Sequence, residues 1–193
     1  MNKPLIILDR DGVINHDSED YIKSEDEWFP LAGSIEAIAQ LSQSGFTVCV
    51  ATNQSGLARG LFDEFTLSRM HELMRTLVEA QGGTIDGIFF CPHGPDDGCH
   101  CRKPRPGLLN QIEEQLQVDV AGAWFIGDTE KDIDAALAKN CKPILVLTGK
   151  GSLTRDTVDP AKLANVPVFD DLFSAAVFVL AEQGGHPGRS SCN

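Results

Sequence analysis

The sequence predicts an α/β fold with three layers, in which a Rossmann-like parallel sheet carries helices on both faces. Short apolar runs alternate with helical patterns along the chain, and this alternation is typical of parallel βαβ units. Runs such as 5–8 and 143–147 are apolar throughout, as burial on both faces of a sheet requires. With 193 residues, 42% of them hydrophobic and 23% charged, the chain is long enough for one domain with its own core.

The first half of the chain contains three predicted strands, at 5–8, 47–51 and 87–90, and two predicted helices, at 34–43 and 66–80. The strand runs are short and rich in β-branched and aromatic residues. The helix at 66–80 is the clearest element, because its apolar residues recur at three- and four-residue spacing on one face. These residues are Leu67, Met70, Leu73, Met74, Leu77 and Val78. We interpret the methionines among them as core residues.

The second half continues the same alternation, with predicted strands at 123–126, 143–147 and 167–169 and predicted helices at 108–117, 131–139 and 172–183. Residues 184–193 lack periodicity and are rich in Gly, Pro and Ser, which is typical of a flexible tail. We therefore expect a single domain over 1–183, followed by a tail at 184–193.

Composition and charge exclude several classes of partner. The chain has 28 acidic and 16 basic residues, a net charge of −12 and no block of consecutive basic residues, which argues against a nucleic-acid partner. No apolar stretch approaches the roughly 20 residues of a membrane helix. The apolar run near the N-terminus is too short for a signal peptide. We expect a cytoplasmic protein that acts on a small molecule, with no membrane partner, and the ample core favours a monomer.

Acidic side chains follow two of the predicted strands at the point where each strand ends. Asp9 and Asp11 come directly after the first strand, and Asp128 follows the strand at 123–126. Ligands of an open parallel sheet bind beyond the carboxyl ends of its strands, so these carboxylates are expected to converge. Carboxylates at such a short distance repel one another unless a cation lies between them, and carboxylate oxygens suit Mg²⁺. The pattern therefore predicts a magnesium site.

Two structural interpretations of these acidic residues stay open. The Asp-x-Asp-Gly pattern could belong to a calcium loop, although such a loop has Gly at its sixth position and Glu at its twelfth. Here those positions hold Ile14 and Asp20. Asp128 could also be the N-cap of the helix that follows it, which is a common role for aspartate.

Carboxylates that hold Mg²⁺ beside a hydroxyl and a lysine are the groups that phosphoryl transfer uses. The chain has no Gly-x-x-x-x-Gly-Lys-Ser/Thr loop, which excludes the nucleotide enzymes that depend on it. Asp9 is the candidate nucleophile, which would form an aspartyl phosphate, and Asp11 is the candidate acid and base. Thr52 and the amides after it would bind the phosphoryl oxygens, and Lys103 would neutralise their charge.

Four motifs of this sequence resemble those of the haloacid dehalogenase superfamily of phosphatases. They are Asp9-Arg10-Asp11-Gly12-Val13-Ile14-Asn15, Ala51-Thr52-Asn53-Gln54-Ser55-Gly56, Lys103, and Gly127-Asp128-x-x-x-Asp132. The resemblance implies that Asp9 is the nucleophile and Asp11 the acid and base. It also implies that Mg²⁺ binds Asp9, Asp128 and the backbone carbonyl of Asp11. By the same resemblance, Lys131 lies beside the metal loop and Asp132 orients the site without binding the metal.

Cysteine and histidine residues form a second cluster, in the pattern Cys91-Pro92-His93 followed by Cys99-His100-Cys101. Such a pattern supplies the ligands of a tetrahedral zinc ion and leaves no position for water, which is typical of a structural site. The resemblance also implies a zinc knuckle here, on Cys91, His93, Cys99 and Cys101. Such a zinc ion would fix the direction of the two cations that follow the last ligand.

Alternatives to this zinc site stay open. Disulfide bonds are one, although a reducing cytosol and the poor geometry of a Cys-x-Cys bridge disfavour them. His100 could also be the nitrogen ligand in place of His93. We interpret the other cysteines, Cys49, Cys141 and Cys192, as packing or incidental residues.

The spacing of the motifs leaves no room for the cap domain that the superfamily usually carries, so we expect a capless, open site. Loops would then bind the substrate. The candidate substrate-binding residues are Asp17, Tyr21, Thr52, Asn53, Gln54, Ser55, Arg59, Arg102 and Lys103. Tyr21, the only tyrosine, suits a polyol through its ring and hydroxyl, with a packing role as the alternative. Arg59 and Arg102 are candidates for a second phosphate, because arginine grips phosphate oxygens with a planar fork.

The substrate that the resemblance implies is a heptose bisphosphate, hydrolysed at its primary phosphate. Histidinol phosphate is the alternative, because the core motifs and the zinc knuckle serve both substrates. A zinc-binding module without turnover is an alternative of another class, which the complete set of catalytic candidates disfavours. The sequence does not distinguish the two anomers of the sugar.

Overall fold

A six-stranded parallel sheet forms the centre of the structure, a computed structural model that describes residues 3–184. The strands are β1 (Leu5–Leu8), β2 (Thr47–Asn53), β3 (Gly87–Cys91), β4 (Trp124–Gly127), β5 (Lys142–Val146) and β6 (Val168–Phe169). They lie in the order β3-β2-β1-β4-β5-β6, and every neighbouring pair is parallel. The predicted α/β class is confirmed, and all six predicted strands are present.

The described residues form seven α-helices, six between strands and one after the last strand. They are α1 (Ser34–Gln43), α2 (Glu64–Ala80), α3 (Gly107–Leu116), α4 (Glu130–Ala138), α5 (Gly151–Thr157), α6 (Pro160–Leu163) and α7 (Leu172–Gly184). The sequence predicted five of them and missed α5 and α6. These two helices are only 7 and 4 residues long and bury almost no apolar side chain, so no helical period is visible in the sequence.

Different helices cover the two faces of the sheet. Alternate residues of β1 point to opposite faces, so Ile6 packs with α1, α2 and α7, whereas Ile7 packs with α3 and α4. Both side chains are fully buried. This arrangement gives the three predicted layers and explains why β1 is apolar throughout.

The predicted and observed ends of the elements differ by up to two residues, as helices α2 and α7 illustrate. Helix α2 begins two residues before the predicted start because the Asp63 side chain caps it, accepting a 2.8 Å hydrogen bond from the Thr66 amide. Met70 and Met74 of this helix are fully buried, as expected. Helix α7 includes Gly184, which was predicted to begin the tail. Residues 185–193, with Cys192, lie outside the described part of the chain.

The carboxyl ends of the central strands bring the predicted site residues to one edge of the sheet. Strand β1 lies between β2 and β4, and Leu8 pairs with both Val50 and Ile126. Asp9 therefore emerges beside the end of β2 and beside Asp128, which follows β4.

The segments above this edge are short. Residues 12–33 contain a single one-turn 3-10 helix, Glu25–Glu27, and residues 54–63 contain no helix or strand. Within residues 3–184, no cap domain covers the edge, as the motif spacing predicted. Among the described residues, no helix combines the length and apolar character needed to cross a membrane.

Candidate active site

Three buried carboxylates converge where β1 and β4 end. Asp9, Asp128 and Asp132 each place an oxygen within 4.8 Å of the others. The Oδ2 atom of Asp128 accepts a 2.8 Å hydrogen bond from the Lys150 amide, but its buried Oδ1 atom has no hydrogen-bond partner in the described part of the chain. An unpartnered, buried carboxylate oxygen is costly unless a cation binds it. The oxygens of Asp9 and Asp128 therefore fit a hard divalent cation such as Mg²⁺.

Lys103 supplies the positive charge of this cluster. Its ammonium lies 2.8 Å from Asp9 Oδ1 and 2.6 Å from Asp132 Oδ1, and it donates a 2.7 Å hydrogen bond to the carbonyl of Ala51. The side chain is only 2% exposed. Burial alone would lower the pKa of Lys103, but the attraction of Asp132 and Asp9 raises it above the ordinary value. Lys103 therefore stays charged beside the candidate nucleophile.

One ammonium does not balance three carboxylates, and the pKa values reflect this. Burial, reinforced by Asp132, raises the pKa of Asp9 to about 7, although Lys103 acts in the opposite direction. Burial and the charges of Asp9 and Asp132 raise the pKa of Asp128 to about 8. A divalent cation between these groups would lower both values and keep Asp9 ionised at neutral pH.

Asp11 has different surroundings from the cluster. Its carboxylate accepts hydrogen bonds from Arg10 (Nη2, 2.8 Å), Asn15 (Nδ2, 2.9 Å) and Gln54 (Nε2, 2.8 Å). Burial alone would raise the pKa of Asp11, but Arg10 and the two amide donors hold it below the ordinary value. Arg10, which is 1% exposed, also contacts the buried His71 at 3.4 Å. The sequence did not predict that Arg10 is buried against Asp11, because an arginine between two aspartates is usually exposed to solvent.

The end of β2 holds the phosphate-binding candidates in place. The Thr52 hydroxyl accepts a 2.9 Å hydrogen bond from Gln54. The Asn53 side chain makes two hydrogen bonds to the backbone of Lys103: it accepts one of 3.0 Å from the Lys103 amide and donates one of 3.2 Å to the Lys103 carbonyl. Asn53 therefore positions the lysine, a role that the sequence pattern did not reveal.

A cavity of about 260 Å³ lies over the cluster and joins most of the predicted site residues. Those that line it are Asp9, Asp11, Asp17, Tyr21, Thr52, Asn53, Gln54, Ser55, Arg102, Lys103 and Asp128. Arg59 is not among the lining residues, and its guanidinium instead lies 5.6 Å from the centre of the Tyr21 ring. The sequence missed Lys150, which lines the cavity from the segment after β5.

The two structural interpretations of the acidic motifs are not supported by the geometry. Thr129, not Asp128, is the N-cap of α4. The amide and the hydroxyl of Thr129 donate hydrogen bonds of 3.0 and 2.6 Å to the Asp132 carboxylate. Ile14 is fully buried in the core, which a calcium loop would not allow at that position. Gly12 packs so closely that a Cβ there would lie 2.2 Å from Asp128 Oδ2.

The second predicted cluster is also assembled. Cys91, His93, Cys99 and Cys101 place their ligand atoms within 4.8 Å of one another. The Sγ atoms of Cys91 and Cys99 are 3.6 Å apart, close to the roughly 3.8 Å between two sulfurs of a tetrahedral zinc site. His93 faces the cluster through Nδ1, whereas His100 is not a member of the cluster. The described cysteines form no disulfide. This cluster could bind a metal ion.

Known proteins resemble this chain closely. Residues 100–175 match the family model described as HAD-hydrolase-like. The chain is 56% identical over 180 residues to D-glycero-beta-D-manno-heptose-1,7-bisphosphate 7-phosphatase of Pseudomonas aeruginosa, covering 93% of this chain and 99% of that relative. It is 54% identical over 172 residues to the protein of the same name from Pseudomonas putida, covering 89% of this chain and 97% of that relative.

A solved structure is similarly close. The D,D-heptose 1,7-bisphosphate phosphatase from B. bronchiseptica, complexed with magnesium and phosphate, matches with a TM-score of 0.87 and 49% identity. The match covers 93% of this chain and 99% of that chain.

Proposed function

The chain belongs to the HAD-like hydrolases, and we propose that it removes the C7 phosphate from D-glycero-β-D-manno-heptose 1,7-bisphosphate. One observation carries the reaction type: Asp9 lies at the base of an open cavity, paired at 2.8 Å with the buried Lys103 and beside the buried Oδ1 atom of Asp128. The proposed substrate, including its anomer, is supported by the names of relatives that align over nearly the whole chain. The β anomer would place the enzyme in lipopolysaccharide biosynthesis.

In the proposed first step, Asp9 attacks the C7 phosphorus and forms an aspartyl phosphate while the bond to the sugar oxygen breaks. Asp11 acts in this step in its protonated form and gives its proton to the departing alkoxide, so it must first take up a proton against the lowered pKa that its contacts impose. In the second step, Asp11 takes a proton from water, which attacks the phosphorus and releases phosphate from Asp9. The contacts of Asp11 with Arg10 and Gln54 stabilise its ionised form, which is the form that this second step needs.

Other residues of the cavity bind the transferring phosphoryl group. Lys103 offsets the negative charge on its oxygens, and the Thr52 hydroxyl and the amides after it donate hydrogen bonds to them. We propose that Asp9, Asp128 and the backbone carbonyl of Asp11 hold Mg²⁺. When bound, Mg²⁺ supplies positive charge that draws the phosphoryl group toward Asp9 and offsets the charge of the reaction.

Positioning must decide which phosphate reacts, because the anomeric phosphate has the better leaving group. We propose that Arg102 binds the anomeric phosphate at the rim of the cavity, so that the primary phosphate meets Asp9. Asp17 and Tyr21 would contact the polyol chain between the two phosphates. Arg59, which lies against the Tyr21 ring, would support that side chain without reaching the phosphate.

Steady-state phosphate release tests this function. With Mg²⁺ present, the β anomer should be hydrolysed with a higher kcat/KM than the α anomer and histidinol phosphate under identical conditions. Preference for histidinol phosphate would overturn the substrate while leaving the mechanism in place. Preference for the α anomer would overturn the assignment to lipopolysaccharide biosynthesis.

We also propose that the cluster of Cys91, His93, Cys99 and Cys101 binds a structural zinc ion. Its support is the mixed sulfur and nitrogen donor set and the position of the cluster directly before Arg102 and Lys103. Arg102 reinforces this link, because its guanidinium donates a 3.1 Å hydrogen bond to the His93 carbonyl. Zinc would fix the direction in which these two cations enter the cavity.

Replacing Cys101 with serine is expected to remove the bound zinc and lower the melting temperature, because a neutral hydroxyl is a poor zinc ligand. Metal content by elemental analysis and thermal unfolding measure the effect. Cys141→Ser is the matched control, since Cys141 lies outside the cluster and should leave the zinc content unchanged. If both variants retained zinc, or if wild-type protein purified without it, the knuckle would be refuted.

Three further features belong to the same proposal. A single phosphatase domain over 1–183 is supported by the continuous sheet. A cytoplasmic location is supported by the free thiols of the cluster, which need a reducing compartment. We propose a monomer that binds neither nucleic acid nor membranes, in keeping with a net charge of −12.

A further inference from the structure

Lys150 links two parts of the site that the proposed mechanism treats separately. Its ammonium lies 2.9 Å from Asp17 Oδ2, in the loop at 17–21 that borders the cavity. Its backbone amide donates a 2.8 Å hydrogen bond to Asp128 Oδ2. The same residue therefore touches a proposed metal ligand and a proposed substrate-binding loop.

The backbone of this segment is held firmly against the site. The Thr148 hydroxyl donates a 2.7 Å hydrogen bond to the Gly12 carbonyl. Gly149, at a φ of +55°, packs so tightly that a Cβ would lie 2.5 Å from the Cα of Gly12 and 2.2 Å from Asp128 Oδ2. Lys150 therefore extends its side chain from a fixed base, and 54% of that side chain is exposed at the mouth of the cavity.

The loop that Lys150 reaches has little other support. It carries three acidic residues, Asp17, Glu19 and Asp20, and Lys150 is the ion-pair partner of Asp17 among the described residues. Apart from this pair and the Arg59 guanidinium, which lies 5.6 Å from the centre of the Tyr21 ring, short-range bonds hold the loop, such as the 3.2 Å bond from the Tyr21 amide to the Ser18 carbonyl. An unpaired Asp17 would repel an anionic substrate that enters the cavity.

We propose that Lys150 is a positioning residue that holds the 17–21 loop, through Asp17, against the polyol chain of the substrate and so contributes to specificity for the sugar bisphosphate. This inference rests on the proposed function for the identity of the substrate. The loop restraint itself is a property of the substrate-free protein and can be measured without any substrate.

The kinetic test compares Lys150→Met, which keeps an unbranched side chain but removes its charge, with Lys150→Arg, which keeps the charge. Lys150→Met should raise KM for the heptose bisphosphate about two- to fivefold, the effect expected for one partly exposed ion pair. The ratio of kcat/KM for the bisphosphate to that for p-nitrophenyl phosphate should fall by the same factor, because the aryl ester has no polyol chain. Lys150→Arg should restore most of the ratio, because it keeps the charge that pairs with Asp17.

Lys142→Met is the matched control. Lys142 opens β5 at the opposite end of the sheet, where its ammonium lies 5.0 Å from the Trp124 ring, so its loss should leave the substrate ratio unchanged. An unchanged ratio in Lys150→Met, or an equal fall in Lys142→Met, would overturn the specificity role.

Hydrogen exchange of the substrate-free protein separates this inference from the proposed function. Amides of the 17–21 loop should exchange faster in Lys150→Met than in wild type and in Lys150→Arg. Equal exchange in all three proteins would overturn the restraint even if the enzyme hydrolyses the heptose bisphosphate. Conversely, faster exchange in a protein that does not hydrolyse that sugar would support the restraint and refute the substrate.

Discussion

Replacing Asp9 with asparagine is expected to lower kcat by roughly 10⁴-fold or more, the range seen when an enzyme loses its nucleophile. The amide cannot attack phosphorus to form the covalent intermediate. Asparagine is nearly the same size as aspartate, and its carbonyl oxygen can still accept a hydrogen bond from Lys103, which lies 2.8 Å from Asp9 Oδ1. The loss should therefore be chemical and not structural.

Phosphate release and thermal unfolding together check this prediction. The melting temperature of the metal-free Asp9→Asn variant should not fall, because the substitution removes one of three mutually repelling buried carboxylates. Asp156→Asn is the control for the same chemical change, since this exposed side chain pairs with Arg155 at the surface. Retained turnover in a folded Asp9→Asn protein would refute Asp9 as the nucleophile.

The sheet and its catalytic edge could be predicted because both follow from short-range patterns. Apolar runs of strand length mark buried parallel strands, and the carboxyl ends of neighbouring strands must meet at one edge. That reasoning alone places Asp9, Thr52 and Asp128 side by side, and the register of β1 with β2 and β4 confirms their proximity.

Side-chain direction and irregular segments could not be predicted in the same way. The sequence could not distinguish His93 from His100, because only the path of the loop determines which imidazole faces the sulfurs. The chemistry of arginine favours Arg59 as a ligand of a second phosphate, whereas the turn that carries Arg59 directs its side chain to the Tyr21 ring. Lys150 was missed, since the segment after β5 has no periodic pattern and its contact with Asp17 joins two distant parts of the chain.

A second large effect is expected for Lys103→Met, which removes the ammonium from the carboxylate cluster but keeps an unbranched apolar side chain. Breaking a buried ion pair by removing one partner costs about 3–5 kcal/mol, because the other charge stays buried without compensation. Here two carboxylates, Asp9 and Asp132, would lose their cation at 2.8 and 2.6 Å. Turnover should also fall by roughly 10²- to 10³-fold, as for the loss of one donor to the transition state.

The loss of unfolding free energy in Lys103→Met should depend on pH, and the pKa values of the cluster predict the direction. Burial already raises the pKa of Asp9 to about 7 and that of Asp128 to about 8, and without Lys103 the pKa of Asp9 would rise further. A carboxyl with a raised pKa in the folded state binds a proton more tightly there than in the unfolded chain. This tighter proton binding stabilises the folded protein fully below the pKa of the unfolded chain, near 4, and the stabilisation is lost as the pH rises through the pKa of the folded state. The free energy of unfolding that the variant loses relative to wild type should therefore be larger at pH 8 than at pH 6.

Urea unfolding of the metal-free proteins at both pH values measures this difference. Lys139→Met is the matched control, because Lys139 pairs with Glu113 at 2.7 Å in a setting where each side chain is 26% exposed. The free energy of unfolding that Lys139→Met loses should stay below about 1 kcal/mol and should not change between the two pH values, since water reaches this pair and screens it. If Lys103→Met cost no more than Lys139→Met, or if its deficit were independent of pH, Lys103 would not be the cation that stabilises the carboxylate cluster.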